Sequence, residues 1–328
     1  MGLNNRFNGF EKKRKSNEIL LSAYGCTDIG LVRANNEDSF LLADLSSSSE
    51  CVEMNNVRLG KRGGLFVVSD GMGGAQAGEV ASQMAVMLLR SELRKAFAAR
   101  GASEIPSHEQ LIRAVQHANF AIWNESQSSS SKSGMGATLT AALVRDGQAF
   151  IAEVGDSRAY LIRSQSIIRL TTDQSLVELL ILAGELTREE AEAVPIKNVI
   201  LQAMGTQPEV KVAVTKVDLR RNDHLLLCSD GLSNKVSEAE MLKFTLRASS
   251  LEMACKQLVE LAKRRGGEDN ITVIIARVDG EGLEACNPNA RIEHSISMLS
   301  SFYPTEEDNL KTLKPLTLTD LQDDEEII

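Results

Sequence analysis

Leu65-Phe66-Val67-Val68-Ser69-Asp70-Gly71-Met72-Gly73-Gly74 decides how the rest of the chain is read. Four apolar residues run straight into a carboxylate with no polar face between them, the pattern of a strand buried on both sides. The glycines after Asp70 end the strand and permit backbone angles closed to other residues. Asp70 is therefore expected at a strand end with the Gly71 carbonyl bare beside it. That pair suits a hard cation such as Mg2+ or Mn2+. The same residues also suit a plain Asp-Gly turn, so the stretch must be weighed with its neighbours.

The pattern recurs. Val154-Gly155-Asp156-Ser157-Arg158 closes a second apolar run, and Leu225-Leu226-Leu227-Cys228-Ser229-Asp230-Gly231 closes a third. Asp269-Asn270 opens the apolar run Ile271 to Val278. If these strands share a framework, Asp70, Asp156, Asp230 and Asp269 converge. Carboxylates that converge repel one another unless cations neutralise them. Near the start, Arg33-Ala34-Asn35-Asn36-Glu37-Asp38 places a guanidinium next to two more carboxylates. Arg33 could clamp a phosphate with its planar fork, and Glu37 and Asp38 could act through bound water. A solvated surface loop accounts for that cluster equally well.

Periodicity fills in the remainder. Glu79 to Ala99 reads as a helix with Val80, Met84, Met87, Leu88 and Leu93 on its apolar face, the methionines as core filler. Ser107 reads as the cap of a second helix running to about Asn124, with Leu111, Val115, Ala118 and Ile122 inward. Asp146-Gly147 marks a hairpin, while 44–64 reads as a loop. Ser237 and Ser250 cap two later helices. Residues 177–205 are helical and strand-free and read as a flap, a candidate for substrate selection.

Three blocks result: a basic flexible arm (1–18), one domain (19–280), and an acidic, disordered tail (281–328). The net charge of -9 speaks against a nucleic-acid partner. No apolar run approaches the roughly 18 residues of a membrane span. The five cysteines lack metal-site spacing and read as reduced thiols of a cytoplasmic protein.

Taken in order, Arg33…Asn36-Glu37-Asp38, Ser69-Asp70-Gly71-Met72-Gly73-Gly74, Gly136-Ala137-Thr138, Val154-Gly155-Asp156-Ser157-Arg158, Thr172-Asp173-Gln174-Ser175, Ser229-Asp230-Gly231-Leu232 and Asp269-Asn270-Ile271-Thr272 resemble the metal-dependent protein serine/threonine phosphatases of type 2C, bacterial branch. The resemblance implies an α+β fold, a four-layer α/β/β/α sandwich of two antiparallel sheets packed face to face with helices on both outer sides. It implies two core Mn2+ or Mg2+ ions and a third. Asp70 would bridge two ions, the Gly71 carbonyl would bind one, and Asp230 and Asp269 the other. Glu37 and Asp38 would act through waters, Asp156 would hold the third ion, and Arg33 the substrate phosphate. A metal-bridging water or hydroxide would attack phosphorus in line, with no covalent intermediate.

Met72 stands where animal members carry a histidine, and Gln174 where many bacterial members do; Gln174 is given no role. The substrates implied are phosphorylated proteins, with a Ser/Thr kinase and its targets as partners, and a monomer is expected. The alternative is a pseudophosphatase that only binds a kinase or phosphoprotein. A nucleotide hydrolase is disfavoured, since no Gly-x-x-x-x-Gly-Lys-Ser/Thr loop occurs.

Overall fold

In the computed structural model, residues 18–47, 51–73, 77–129, 132–191, 194, 199–287 and 291–303 are described. The arm before residue 18 and everything after 303 lie outside them. Among the described residues, fourteen strands and seven α-helices follow in chain order: β1 Leu20–Asp28, β2 Ser39–Asp44, β3 Glu53–Arg58, β4 Gly64–Ser69, β5 Gly71–Met72, α1 Ala77–Ala98, α2 Ser107–Ser126, β6 Gly136–Ala137, β7 Leu139–Arg145 and β8 Gln148–Val154. Then come β9 Arg158–Arg163, β10 Ser166–Arg169, α3 Leu176–Leu182, α4 Arg188–Ala191, β11 Ala213–Asp218, β12 Asp223–Cys228, α5 Asp230–Ser233, α6 Glu238–Arg247, α7 Leu251–Arg264, β13 Ile271–Asp279 and β14 Ile296–Ser300.

Two six-stranded antiparallel sheets form, in the orders β10-β9-β12-β13-β1-β3 and β14-β11-β8-β7-β4-β2, with a two-stranded β5-β6 ribbon beside them. The expected four-layer sandwich is what folds. Strand β4 shows why: Phe66 and Val68 point into the core between the sheets, while Leu65 and Val67 point out against α1 and α2. Both faces are covered, so nothing along the strand alternates. On the other side Ile271, Val273 and Ile275 of β13 meet Leu258 and Ala262 of α7. No helix among the described residues is long and apolar enough to cross a membrane, and the five cysteines are free thiols.

Three local expectations are corrected. The supposed loop 44–64 contains β3, an edge strand whose residues are mostly exposed. An edge strand with one open face carries little apolar signal. Helix α1 centres its inward face on Ala81, Ala85 and Leu89; Leu93 is buried as expected and Val80, Met84 and Leu88 pack against the core, but Met87 is 47% exposed. Small alanines let the helix lie close on the sheet, so Met84 packs from the flank and Met87 falls outside. The third correction is the tail. Residues 291–303 belong to the fold, with β14 pairing along β11 from Val214↔Ser300 to Val217↔Ile296. The Ser295 hydroxyl takes a hydrogen bond from Arg163 at 2.8 Å, and Tyr303 is buried. Acidic composition masked these few apolar and hydroxyl contacts.

Candidate active site

Asp70 follows the last residue of β4. Its N–H donates to the Thr138 hydroxyl at 2.9 Å, and its carbonyl accepts from the Thr138 N–H at 2.8 Å. The Ser69 hydroxyl donates to the Thr138 carbonyl at 2.6 Å, and the Thr138 and Ser157 hydroxyls share a bond of 2.7 Å. The strand end is thus held to the turn that carries Asp156. Gly71 continues into the ribbon, paired with Ala137. A Cβ there would lie 2.2 Å from the Gly78 carbonyl oxygen and 2.6 Å from that of Glu37. Only glycine fits, and it brings main chain from three segments together.

Loop 29–38 is fastened by one side chain. The Asn270 amide donates to the carbonyls of Ile29 and Asn35, each at 3.0 Å, and its oxygen accepts the Glu37 N–H at 2.8 Å. This sets Arg33, Glu37 and Asp38 over the strand ends. Asp38 is buried, and one carboxyl oxygen accepts from the Ser229 and Thr272 hydroxyls at 2.7 and 2.6 Å. Its other oxygen, Oδ1, is buried without a partner, as is Oδ1 of Asp230 at the start of α5. Two buried carboxylate oxygens without a donor suit a divalent cation.

The electrostatics show the convergence. Burial, followed by the charges of Asp38, Asp230, Asp156 and Asp269, pushes the Asp70 carboxyl well above the usual range. Asp156 is pushed up to about 8, by burial and then by Asp230 and Asp173 against Arg158. Asp38 is pushed up to about 7, with burial outweighing its two hydroxyl donors. Asp230 is raised by burial and then by Asp269, with Arg158 and Arg33 opposing. Glu37 is raised by burial, with Arg33 opposing. Arg33 donates to Asp269 at 2.8 Å and is 56% exposed in its side chain. Among the described residues no three carboxylate, imidazole or thiol side chains close on one point as a finished cage.

The expected site residues therefore share one rim of the sandwich. What the sequence reading left without a role is the hydroxyl and amide frame: Thr138, Ser157, Ser229, Asn270 and Thr272. Ser157, Ser229 and Asn270 each flank a carboxylate in their motifs, and that adjacency was the available signal; Thr138 and Thr272 carried none. Gln174 also gains a part. Its oxygen accepts the Gly155 N–H at 2.9 Å and its amide donates to the Glu153 carbonyl, which holds the turn before Asp156.

A family model described as Protein phosphatase 2C matches residues 55–263. The chain belongs to the protein phosphatase 2C family. Serine/threonine phosphatase stp of Listeria monocytogenes is 38% identical over 253 residues, 77% of this chain and 94% of that protein. The crystal structure of the serine/threonine phosphatase PstP of Mycobacterium tuberculosis matches at 34% identity and TM-score 0.66, covering 81% of this chain and 99% of that one. A structure of the PstP catalytic domain in complex with two manganese ions matches at 34% identity and TM-score 0.63, covering 80% and 99%. The fold and enzyme class expected from the motifs, a protein serine/threonine phosphatase, stand.

The raised carboxyls fix the sign of a pH effect on this phosphatase. Unfolded aspartates titrate near ~3.9, and Asp38 and Asp156 at about 7 and about 8 in the fold. Between those values the folded state binds more protons, so stability falls as pH rises through the window. In chelator, the urea midpoint should drop steadily across it, and added Mn2+ should flatten the slope. A midpoint that stays level in chelator would count against convergence of these groups.

Proposed function

We propose that this phosphatase removes phosphate from phosphoserine and phosphothreonine of proteins with divalent ions, Mn2+ or Mg2+, held by the acidic rim. The observation carrying the proposal is the pair of buried, unpartnered oxygens on Asp38 and Asp230 beside the strongly raised Asp70. Asp70, the Gly71 carbonyl, Asp230 and Asp269 would hold two ions, and Asp156 a third. Glu37 and Asp38 would order the surrounding water. Bound ions would offset the phosphate charge and make water a better nucleophile at neutral pH.

The chain's own residues then do three things. The hydroxyl frame fixes the carboxylates, so the site need not reorganise as charge develops. Asp269 would turn from Arg33 toward a bound cation, and the Arg33 fork would then be free to take two phosphate oxygens. The exposed position of Arg33 lets a phosphorylated segment reach it from solvent. The PstP complex with two manganese ions supports the ion assignment by likeness. Nothing in the site favours the binding-only alternative, since each expected carboxylate is present.

The test is phosphate release from a phosphothreonine peptide with Mn2+, with Mg2+ and with chelator. Release is expected with either ion and absent in chelator. Undiminished release in chelator would sink the proposal.

A further inference from the structure

The folded strap 291–303 lies beyond the stretch that the family model matches. It joins the edge of the second sheet through β14 and ends at Tyr303, whose ring is packed edge-on against Phe302 with centroids 5.0 Å apart. The Tyr303 hydroxyl reaches two main-chain carbonyls, Asp173 at 2.7 Å and Ser175 at 3.0 Å. Those residues border the Asp156 turn. The Asp173 carboxylate takes the Arg158 guanidinium in a forked pair at 2.6 to 3.1 Å. Gln174 is zipped to Gly155 in both directions, its N–H to the Gly155 carbonyl at 2.8 Å and its side-chain oxygen to the Gly155 N–H. Ser175 caps α3, where the flap begins. Beneath the strap, Glu153 gives one oxygen to the Thr172 N–H and leaves the other buried and unpartnered. It borders a cavity of about 20 Å3 that Phe302 and Tyr303 help to close, room for one water.

We propose that Tyr303 is a positioning residue for the Asp156 turn, acting through the Asp173–Ser175 main chain that its hydroxyl ties down. The inference rests on the reading that Asp156 is an ion ligand. The strap is also attached by hydrogen bonds that end outside this segment, Ser300 Oγ to the Val212 carbonyl for one. Loss of the Tyr303 hydroxyl should therefore loosen residues 153–176 without detaching the strap.

Tyr303→Phe keeps the ring and removes only the hydroxyl; Ser300→Ala is the control on the same strap. With no metal added, hydrogen exchange at the Gly155, Gln174 and Leu176 amides should quicken about tenfold in Tyr303→Phe, the scale of one lost hydrogen bond. The Mn2+ concentration for half-maximal phosphate release should rise several-fold, while KM for a phosphopeptide changes little. Ser300→Ala should do neither. Unchanged exchange, or the same response from Ser300→Ala, would overturn the proposal. So would faster exchange with an unchanged Mn2+ requirement, which leaves Tyr303 a structural tie. Asp156→Ala in parallel separates the two readings: if it too leaves the Mn2+ requirement unmoved, the ion-ligand reading has failed and this proposal with it.

Discussion

Asp70→Asn is expected to lower phosphate release on the order of 10³-fold, the scale at which removal of one preorganised charge-stabilising group acts. Asn keeps the size of the side chain and removes its charge. The Asp70 main chain bonds only to Thr138, and neither bond involves the carboxyl. The fold should therefore survive. The metal-free variant should in fact be more stable than wild type, because a carboxyl disfavoured first by burial and then by Asp38, Asp230, Asp156 and Asp269 is gone. The two effects run in opposite directions, so inactivity through misfolding is separable from inactivity through lost charge. Phosphate release and the urea midpoint, both measured on the same preparation, check it. Equal rates in the two proteins would remove Asp70 from the chemistry.

The sequence carried the carboxylates because each stands at the end of an apolar run, and a change from buried strand to charged turn is a one-dimensional signal. Leu225 to Cys228 followed by Asp230 reads as clearly as Leu65 to Val68 followed by Asp70. What holds the carboxylates in place is a long-range property. Asn270 is fastened to Ile29 and Asn35 across the whole length of the domain, and no local pattern announces that. The Thr272 and Ser229 hydroxyls look like ordinary strand residues until Asp38 is seen between them. The strap was unreadable for a different reason. Strand β14 is an edge strand with Met298 and Leu299 exposed, so its burial pattern is weak and its acidic surroundings suggest disorder. Its place is set by β11, whose free edge needs a partner. The arm, by contrast, falls on residues outside those described.

Asp223→Ala should have the largest effect on stability, a loss of about 3–5 kcal/mol, or on the order of 10 °C in Tm. The Asp223 side chain is 0% exposed and Arg163 9%. Arg163 grips it with two bonds, Nε to Oδ1 at 2.8 Å and Nη2 to Oδ2 at 2.6 Å. Asp223 also accepts the Arg220 N–H at 2.7 Å, while Arg163 reaches Ser295 and the Asp218 carbonyl. The pair therefore joins β9 and β12 to the turn after β11 and to the strap. Truncating one member leaves a buried guanidinium with no counter-charge, and that uncompensated charge, more than the lost attraction, sets the cost. The double variant Arg163→Met, Asp223→Leu removes both charges and should recover much of the deficit. Asp223 opens β12 and Asp230 follows its far end, so the activity per folded molecule should stay near that of wild type. Thermal unfolding of the two variants decides the point: if the double variant is as unstable as the single one, packing and not the stranded charge is what Asp223 supplies.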